Sequence, residues 1–391
     1  MPRRQLALGT ISFAVCFAAW GLISAFAPRF REIYHLTAGQ SAFLIAAPVL
    51  LGSLARIPIG LLTDRYKGRI VFPALMLLSA VPAFLAPEVA SYPMLLVAGF
   101  FLGVAGSSFA AGAGFVSPWF PKEKQGAALG VYGLGNIGQS AAVFLGPLLA
   151  SSIGWQNVFR LAGALLVGWA ITFTIFARNP AITAAPRSLA STLAVLGRER
   201  LAWILSAFYF LTFGGFVAFS IYLPSLLKDE FRLSPADAGF RTAGFVVLAT
   251  LLRPVGGWLS DKTGGARVLS IVFPGIASFA IMMAWPAMVP FTAGALGCAA
   301  LLGVGNGAVF KLVPQYFPGE TGTVTGLVGA MGGLGGFFPP LLLGASRDTL
   351  GVIWPAFVLL ALASFALWIL NARVCMTRDA VPALPHARGI Q

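Results

Sequence analysis

The stretch Ser41–Asp64, SAFLIAAPVLLGSLARIPIGLLTD, decides the fold. Before its closing Asp64 it carries one charge, Arg56. A run this long and this apolar reads as a membrane-spanning helix. Arg56 precedes Asp64 by eight residues. That is about 12 Å of helix, which places the guanidinium near the middle of a hydrocarbon layer about 30 Å thick. A charge there costs roughly 3 kcal/mol even on the most lenient insertion scale. The arrangement recurs in VVLATLLRPVGGWLSD, where Arg253 stands eight residues before Asp261. A single arginine so placed could snorkel toward the interface. Two at matching positions point instead to an anion-binding site inside a membrane protein.

The remainder of the 391-residue chain fits that frame. It is 58% hydrophobic and 10% charged, with a mean hydropathy of +0.87, whereas soluble domains carry about 25% charged residues. The net charge is +14. Lys and Arg crowd into short connections, which marks membrane topology rather than a nucleic-acid surface. Cys16, Cys298 and Cys375 lie in or beside apolar runs and form no CxxC, so free buried thiols are expected, with no disulfide and no metal site. Twelve apolar spans are predicted, at about 6–28, 40–62, 70–87, 92–117, 126–150, 155–177, 201–227, 236–260, 267–287, 290–316, 321–345 and 350–374. Ala25-Phe26-Ala27 after Arg3 and Arg4 has features of a cleaved signal peptide, but removing the first span would break the symmetry described next. With the N-terminus inside, 17 basic residues fall in inside segments and 7 in outside ones. The positive-inside rule then places both termini in the cytoplasm of a multi-pass cell (inner) membrane protein.

Residues 178–200, RNPAITAAPRSLASTLAVLGRER, form the longest connection and read as a cytoplasmic linker. It divides a six-helix half at 1–177 from another at 201–374, with a cytoplasmic tail at 375–391. The halves are related by an offset of 197 residues. Arg56, Gly60, Asp64 and Arg65 map onto Arg253, Gly257, Asp261 and Lys262. Phe120-Pro121 maps onto Phe317-Pro318, and Gly135 and Gly138 map onto Gly332 and Gly335. Two glycine runs sit at repeat-related places: Gly130, Gly133, Gly135 and Gly138 in the fifth span, and Gly326, Gly329, Gly332, Gly333, Gly335 and Gly336 in the eleventh. Glycine on one helix face lets backbones approach closely and leaves backbone free to meet a small substrate. Either run alone would read as helix packing.

Parallel repeats about an axis along the membrane normal describe the two halves of a major facilitator transporter. The loop GLLTDRYKGR at Gly60–Arg69 is similar to that superfamily's motif between helices two and three. It departs where Lys67 precedes Gly68, since the commoner form has glycine first. Asp64 can pair near a helix end while the basic residues stay in the interface. Gly60, Asp64, Arg65, Asp261 and Lys262 are therefore candidate gating contacts, though loop charges can also serve topology alone. The paired glycine runs beside paired arginines resemble those of the nitrate/nitrite porter (NarK-type) family. The resemblance covers Gly9–Asn371, and GAMGGLGGFFPP is its more specific motif. The first run departs from the family at Gln139, where a second glycine is common.

The resemblance implies an all-α membrane protein of twelve helices that carries nitrate and nitrite by alternating access. It assigns Arg56 and Arg253 to an anion clamp, Asn136 to a polar contact, Tyr209 and Phe213 to the seventh helix of the site and Phe109 to the fourth. Guanidinium is planar and forked, which suits small planar oxyanions. Asn136 could equally be helix–helix glue, and Phe109 and Phe213 taken alone read as packing. Lys311 reads as snorkelling. Another small anion such as formate is the alternative substrate. An enzyme is not expected, because His35 and His386 lie in a loop and a tail and no catalytic or metal cluster is evident. No cofactor is implied. The expected surroundings are the lipid bilayer, the expected state a monomer. All twelve acids fall in loops, at span ends or in the tail, so nitrate/nitrite antiport is expected over proton symport.

Overall fold

A computed structural model describes residues 1–179, 199–317 and 321–380. The described residues contain twelve spans long and apolar enough to cross a membrane. They are α1 (Pro2–Ile33), α2 (Ala38–Gly60), α3 (Gly68–Glu88), α4 (Tyr92–Val116), α5 (Ala128–Ile153), α6 (Trp155–Phe176), α7 (Arg200–Phe231), α8 (Pro235–Thr263), α9 (Gly265–Met283), α10 (Met288–Val313), α11 (Gly326–Leu350) and α12 (Trp354–Met376). Each begins within a few residues of its predicted start. The predicted linker falls largely on 180–198, and the distal tail on 381–391, outside the described residues.

Two spans run further than their hydropathy suggests. Arg29, Arg31 and Glu32, expected in a connection, form the last turns of α1, and Lys228, Asp229 and Glu230 those of α7. Basic residues are favourable at a helix C-terminus, and all of these charges but Arg29 also find partners across the bundle. Inside α4 and α5, glycine-rich segments tighten to 3₁₀ turns at Gly103–Ser107 and Leu134–Asn136. Such turns give close-packed helices a local change of direction without losing backbone hydrogen bonds.

The backbone repeats with the sequence. Six described residues adopt positive φ: His35 and Arg232, Lys67 and Gly264, Gly154 and Gly351. Each pair is 197 residues apart, the offset already read from the arginines. Lys67 (φ 70°, ψ 146°) and Gly264 (φ 93°, ψ 136°) occupy the same turn, after α2 and after α8. That region is close to glycine-only and costs a side chain on the order of 1–3 kcal/mol. The family's usual glycine thus has a backbone reason, and this chain departs from it at a strained position.

The first six spans meet the last six along a seam. In it α2 packs on α11, α5 on α8, and α1 on α7. Arg56 of α2 and Arg253 of α8 both reach this seam, toward Gly329 of α11 and Phe109 of α4.

Candidate functional site

Arg56 is 8% exposed and sits where α2 restarts after Ala55. Its Nη1 donates to the Gly329 carbonyl on α11 at 2.7 Å. Its Nη2 reaches the Gly106 carbonyl on α4 at 3.4 Å. Its Nε has no partner. Arg253 donates from Nη2 to the Tyr209 hydroxyl at 3.1 Å. Among the described residues neither guanidinium has an ion-pair partner. Carbonyl and hydroxyl dipoles solvate both charges in part; neither is neutralised. An uncompensated buried charge is expensive, and an entering anion removes that cost.

Aromatic rings build the walls. Phe213 lies 5.2 Å from the Arg56 guanidinium carbon and 5.9 Å from that of Arg253, so one ring serves both. Phe109 lies 5.8 Å and Phe310 5.4 Å from the Arg253 carbon. Tyr209 stacks on Phe213 at 4.9 Å with 5° between the planes, and Phe310 meets Tyr209 edge-on at 4.7 Å. The cation–π contacts hold the guanidinium groups in place without consuming their N–H donors.

Five of the six candidate contact residues therefore come together: Arg56, Arg253, Tyr209, Phe213 and Phe109. No described hydrogen bond joins Asn136 to them. Asn136 is buried in the 3₁₀ turn of α5 with an unpaired Oδ1. Sequence reasoning missed Phe310, which in a chain of 33 phenylalanines carries no distinguishing signal. It also missed Asn306, buried one turn away on α10 with an unpaired Oδ1. The offset of 197 pairs Asn306 with Phe109, and that signal could have found it.

The glycines divide into two kinds. A Cβ at Gly332 would enter the Tyr209 ring, and one at Gly333 would lie 3.0 Å from Arg56 Nη1. Gly135, Gly138, Gly335 and Gly336 are likewise filled by Phe13, Ala14, Phe210 and Val217. Gly133 and Gly329 face open space, as do Gly60 and Gly257. At the termini end, Asp261 pairs with Lys311 of α10, and Lys262 lies 4.0 Å from the Trp258 ring. Lys311 is thus an ion-pair partner as well as a candidate for snorkelling. Arg65 lies over Tyr66 at 5.4 Å; the Asp64 side chain is outside the described residues.

The end of the bundle away from the termini is closed by ions. Arg31 of α1 pairs with Asp229 of α7, which also accepts from Arg347 of α11 at 3.0 Å. Arg347 reaches Glu230 at 3.1 Å, Lys228 pairs with Glu32, and the Gly39 N–H donates to Asp348 at 2.6 Å. These groups are part-exposed, so each pair contributes little alone. Asp229→Asn removes the charge shared by two arginines and is expected to loosen this end by about 1 kcal/mol, roughly fivefold in population. Faster thiol labelling of a cysteine introduced by Ser225→Cys on α7 would report the opening; unchanged labelling would contradict it.

A buried and a half-buried arginine facing one another's aromatic walls within a twelve-helix bundle, sealed at one end, define a secondary transporter. The Major Facilitator Superfamily model matches residues 8–340 and 205–388. Among solved structures, a bacterial homolog of the human lysosomal transporter Spinster, inward-facing and unoccupied, superposes with a TM-score of 0.75 at 18% identity, covering 98% of this chain and 99% of that one. The E. coli fucose:proton symporter FucP gives 0.68 at 19%, covering 94% and 98%. Those likenesses concern the fold. In sequence, the chain is 42% identical over 369 residues to the nitrite extrusion protein of Bacillus subtilis, with 93% of each covered. It is 40% identical over 360 residues to the probable nitrate transporter NarT of Staphylococcus epidermidis, with 92% of each covered. The chain belongs to the major facilitator superfamily and, within it, to the nitrate/nitrite porter family.

Proposed function

We propose that this transporter carries nitrate and nitrite, bound between Arg56 and Arg253, and exchanges one for the other across a membrane in which both termini are cytoplasmic. The observation that carries the reading is the pair of guanidinium groups without a described carboxylate partner, walled by Phe109, Phe213 and Phe310. Aromatic walls suit a flat anion better than a tetrahedral one, and forked donors suit its oxygens. The relatives named for nitrate and nitrite support the substrate choice. We assign alternating access to rocking of the two six-helix halves about this site.

Exchange follows from charge. Moving one anion against 100 mV costs about 2.3 kcal/mol, so uptake needs a coupled ion. Proton symport generally uses a titratable group near the substrate. Here the described acid pairs, Glu32, Glu88, Asp229, Glu230, Asp237 and Asp261, all lie at span ends. An empty site with two positive charges should also reorient slowly, and an anion on the return trip removes that barrier. The test is nitrate uptake into liposomes free of nitrate and nitrite under an imposed inward proton gradient. Uptake no faster than without the gradient is expected. Strong uptake that collapses with an uncoupler would replace exchange by symport.

A further inference from the structure

Of the buried polar groups in the described part of the molecule whose partners are incomplete, three are the strongest candidates for meeting a ligand. Gln139 of α5 accepts from Ser220 at 3.1 Å and leaves its Nε2 unpaired, but it is sealed between helices with no ligand-facing contact. Asn306 has an unpaired oxygen, which is an acceptor and offers nothing to an anion. The third group consists of donors and lies against the arginine site itself.

Trp20 of α1 is 5% exposed and its indole Nε1 has no hydrogen-bond partner. The indole edge packs on Gly106: a Cβ there would stand 3.3 Å from Nε1 and 3.5 Å from Cδ1. Gly106 is the residue whose carbonyl takes the long 3.4 Å bond from Arg56 Nη2. Arg56 Nε is also unpaired. Trp20 Nε1, which lacks an acceptor, and Arg56 Nη2, whose bond there is long, thus both approach one glycine of α4. An indole N–H can only donate, and leaving it buried and unmade costs on the order of 1–3 kcal/mol. Packing does not require the nitrogen, since the Trp20 ring also meets Phe17 at 5.0 Å with 48° between the planes. The missing partner is an acceptor, and nitrate and nitrite are acceptors only.

We propose that Trp20 is a further substrate-contacting residue: its indole N–H donates to an oxygen of the anion held by Arg56. The proposal rests on the anion-carrying reading of the site. It gives the anion a neutral donor from α1, beside the charged donors of α2 and α8. A donor in that place favours the ionised oxyanion, the stronger acceptor, over its neutral acid.

The test uses the full chain in detergent, labelled with ¹⁵N at the tryptophan indoles, with sodium nitrate and sodium nitrite as probes and chloride as the control. Trp20→Phe identifies the Trp20 signal by its loss and keeps the ring. In the parent, nitrate or nitrite should move that indole proton downfield while chloride leaves it in place. Trp20→Phe should bind nitrate about tenfold more weakly, the range for one hydrogen bond to a charged group, with its melting temperature unchanged. A parent that binds nitrate while the Trp20 signal stays still, or a folded Trp20→Phe that binds as tightly as the parent, overturns the proposal and leaves the arginine site standing. If that variant does not fold, Trp20→Tyr supplies the assignment instead, and the parent's indole signal decides. A parent that binds neither anion overturns the substrate reading, and this proposal with it.

Discussion

Arg56→Gln is expected to weaken nitrate binding at least a hundredfold, and Arg56→Lys by roughly thirtyfold. The two substitutions separate charge from shape. Glutamine removes the positive charge and the charge-assisted bonds, on the order of 3 kcal/mol. Lysine keeps the charge but loses the planar fork, on the order of 2 kcal/mol. Arg56 already spends donors on the Gly329 and Gly106 carbonyls, and an ammonium cannot hold both carbonyls and an oxyanion in one plane. Arg253→Lys should behave similarly, because Arg253 donates to Tyr209 while lying against Phe109, Phe213 and Phe310. Nitrate affinity by calorimetry in detergent checks the series. Lysine variants that bind and carry nitrate like the parent would remove the clamp from the account.

Gly335→Val is expected to cost about 3 kcal/mol or more of stability, whereas Gly329→Ala should be near neutral. Both glycines belong to the same run on α11, and pattern alone does not distinguish them. A Cβ at Gly335 would run into the Phe210 carbonyl of α7 and come within 3.0 Å of the Gly214 Cα. Those neighbours are backbone, so relief requires the helices to part, and overpacking of that kind costs on the order of 1–3 kcal/mol even where side chains can yield. Gly329 has open space where a Cβ would go, and its contribution is the carbonyl that Arg56 uses, which alanine retains. Replacing an unconstrained helical glycine by alanine even favours the helix by up to about 1 kcal/mol. Melting temperatures of the two variants should therefore diverge widely; equal losses would mean the run acts by composition rather than by contact.

Much of this was legible from residue order because membranes impose strong rules. Long apolar runs fixed the spans, and one offset tied Arg56 to Arg253. The same offset reappears in the positive-φ pairs, including Lys67 with Gly264. What stayed hidden was chemistry that depends on distance. Arg31, Lys228, Asp229 and Arg347 look like topology signals in the chain, and only packing of α1, α7 and α11 makes them a closure. Phe310 and Trp20 belong to abundant apolar patterns, and their roles arise from the ring or N–H that each presents to an arginine or a glycine. Asn136 was legible from its place in a glycine motif, whereas the 3₁₀ turn that holds it buried was not.

The most direct test of the central claim is counterflow in proteoliposomes. Vesicles loaded with nitrite are placed in buffer containing trace ¹⁵N-nitrate, with equal pH on both sides and the membrane potential clamped. The account predicts rapid entry of labelled nitrate matched by nitrite release, abolished in Arg56→Gln, and absent when the vesicles hold only chloride or sulfate. Labelled nitrate that fails to enter nitrite-loaded vesicles, or that enters equally well when Arg56 is glutamine, would contradict it.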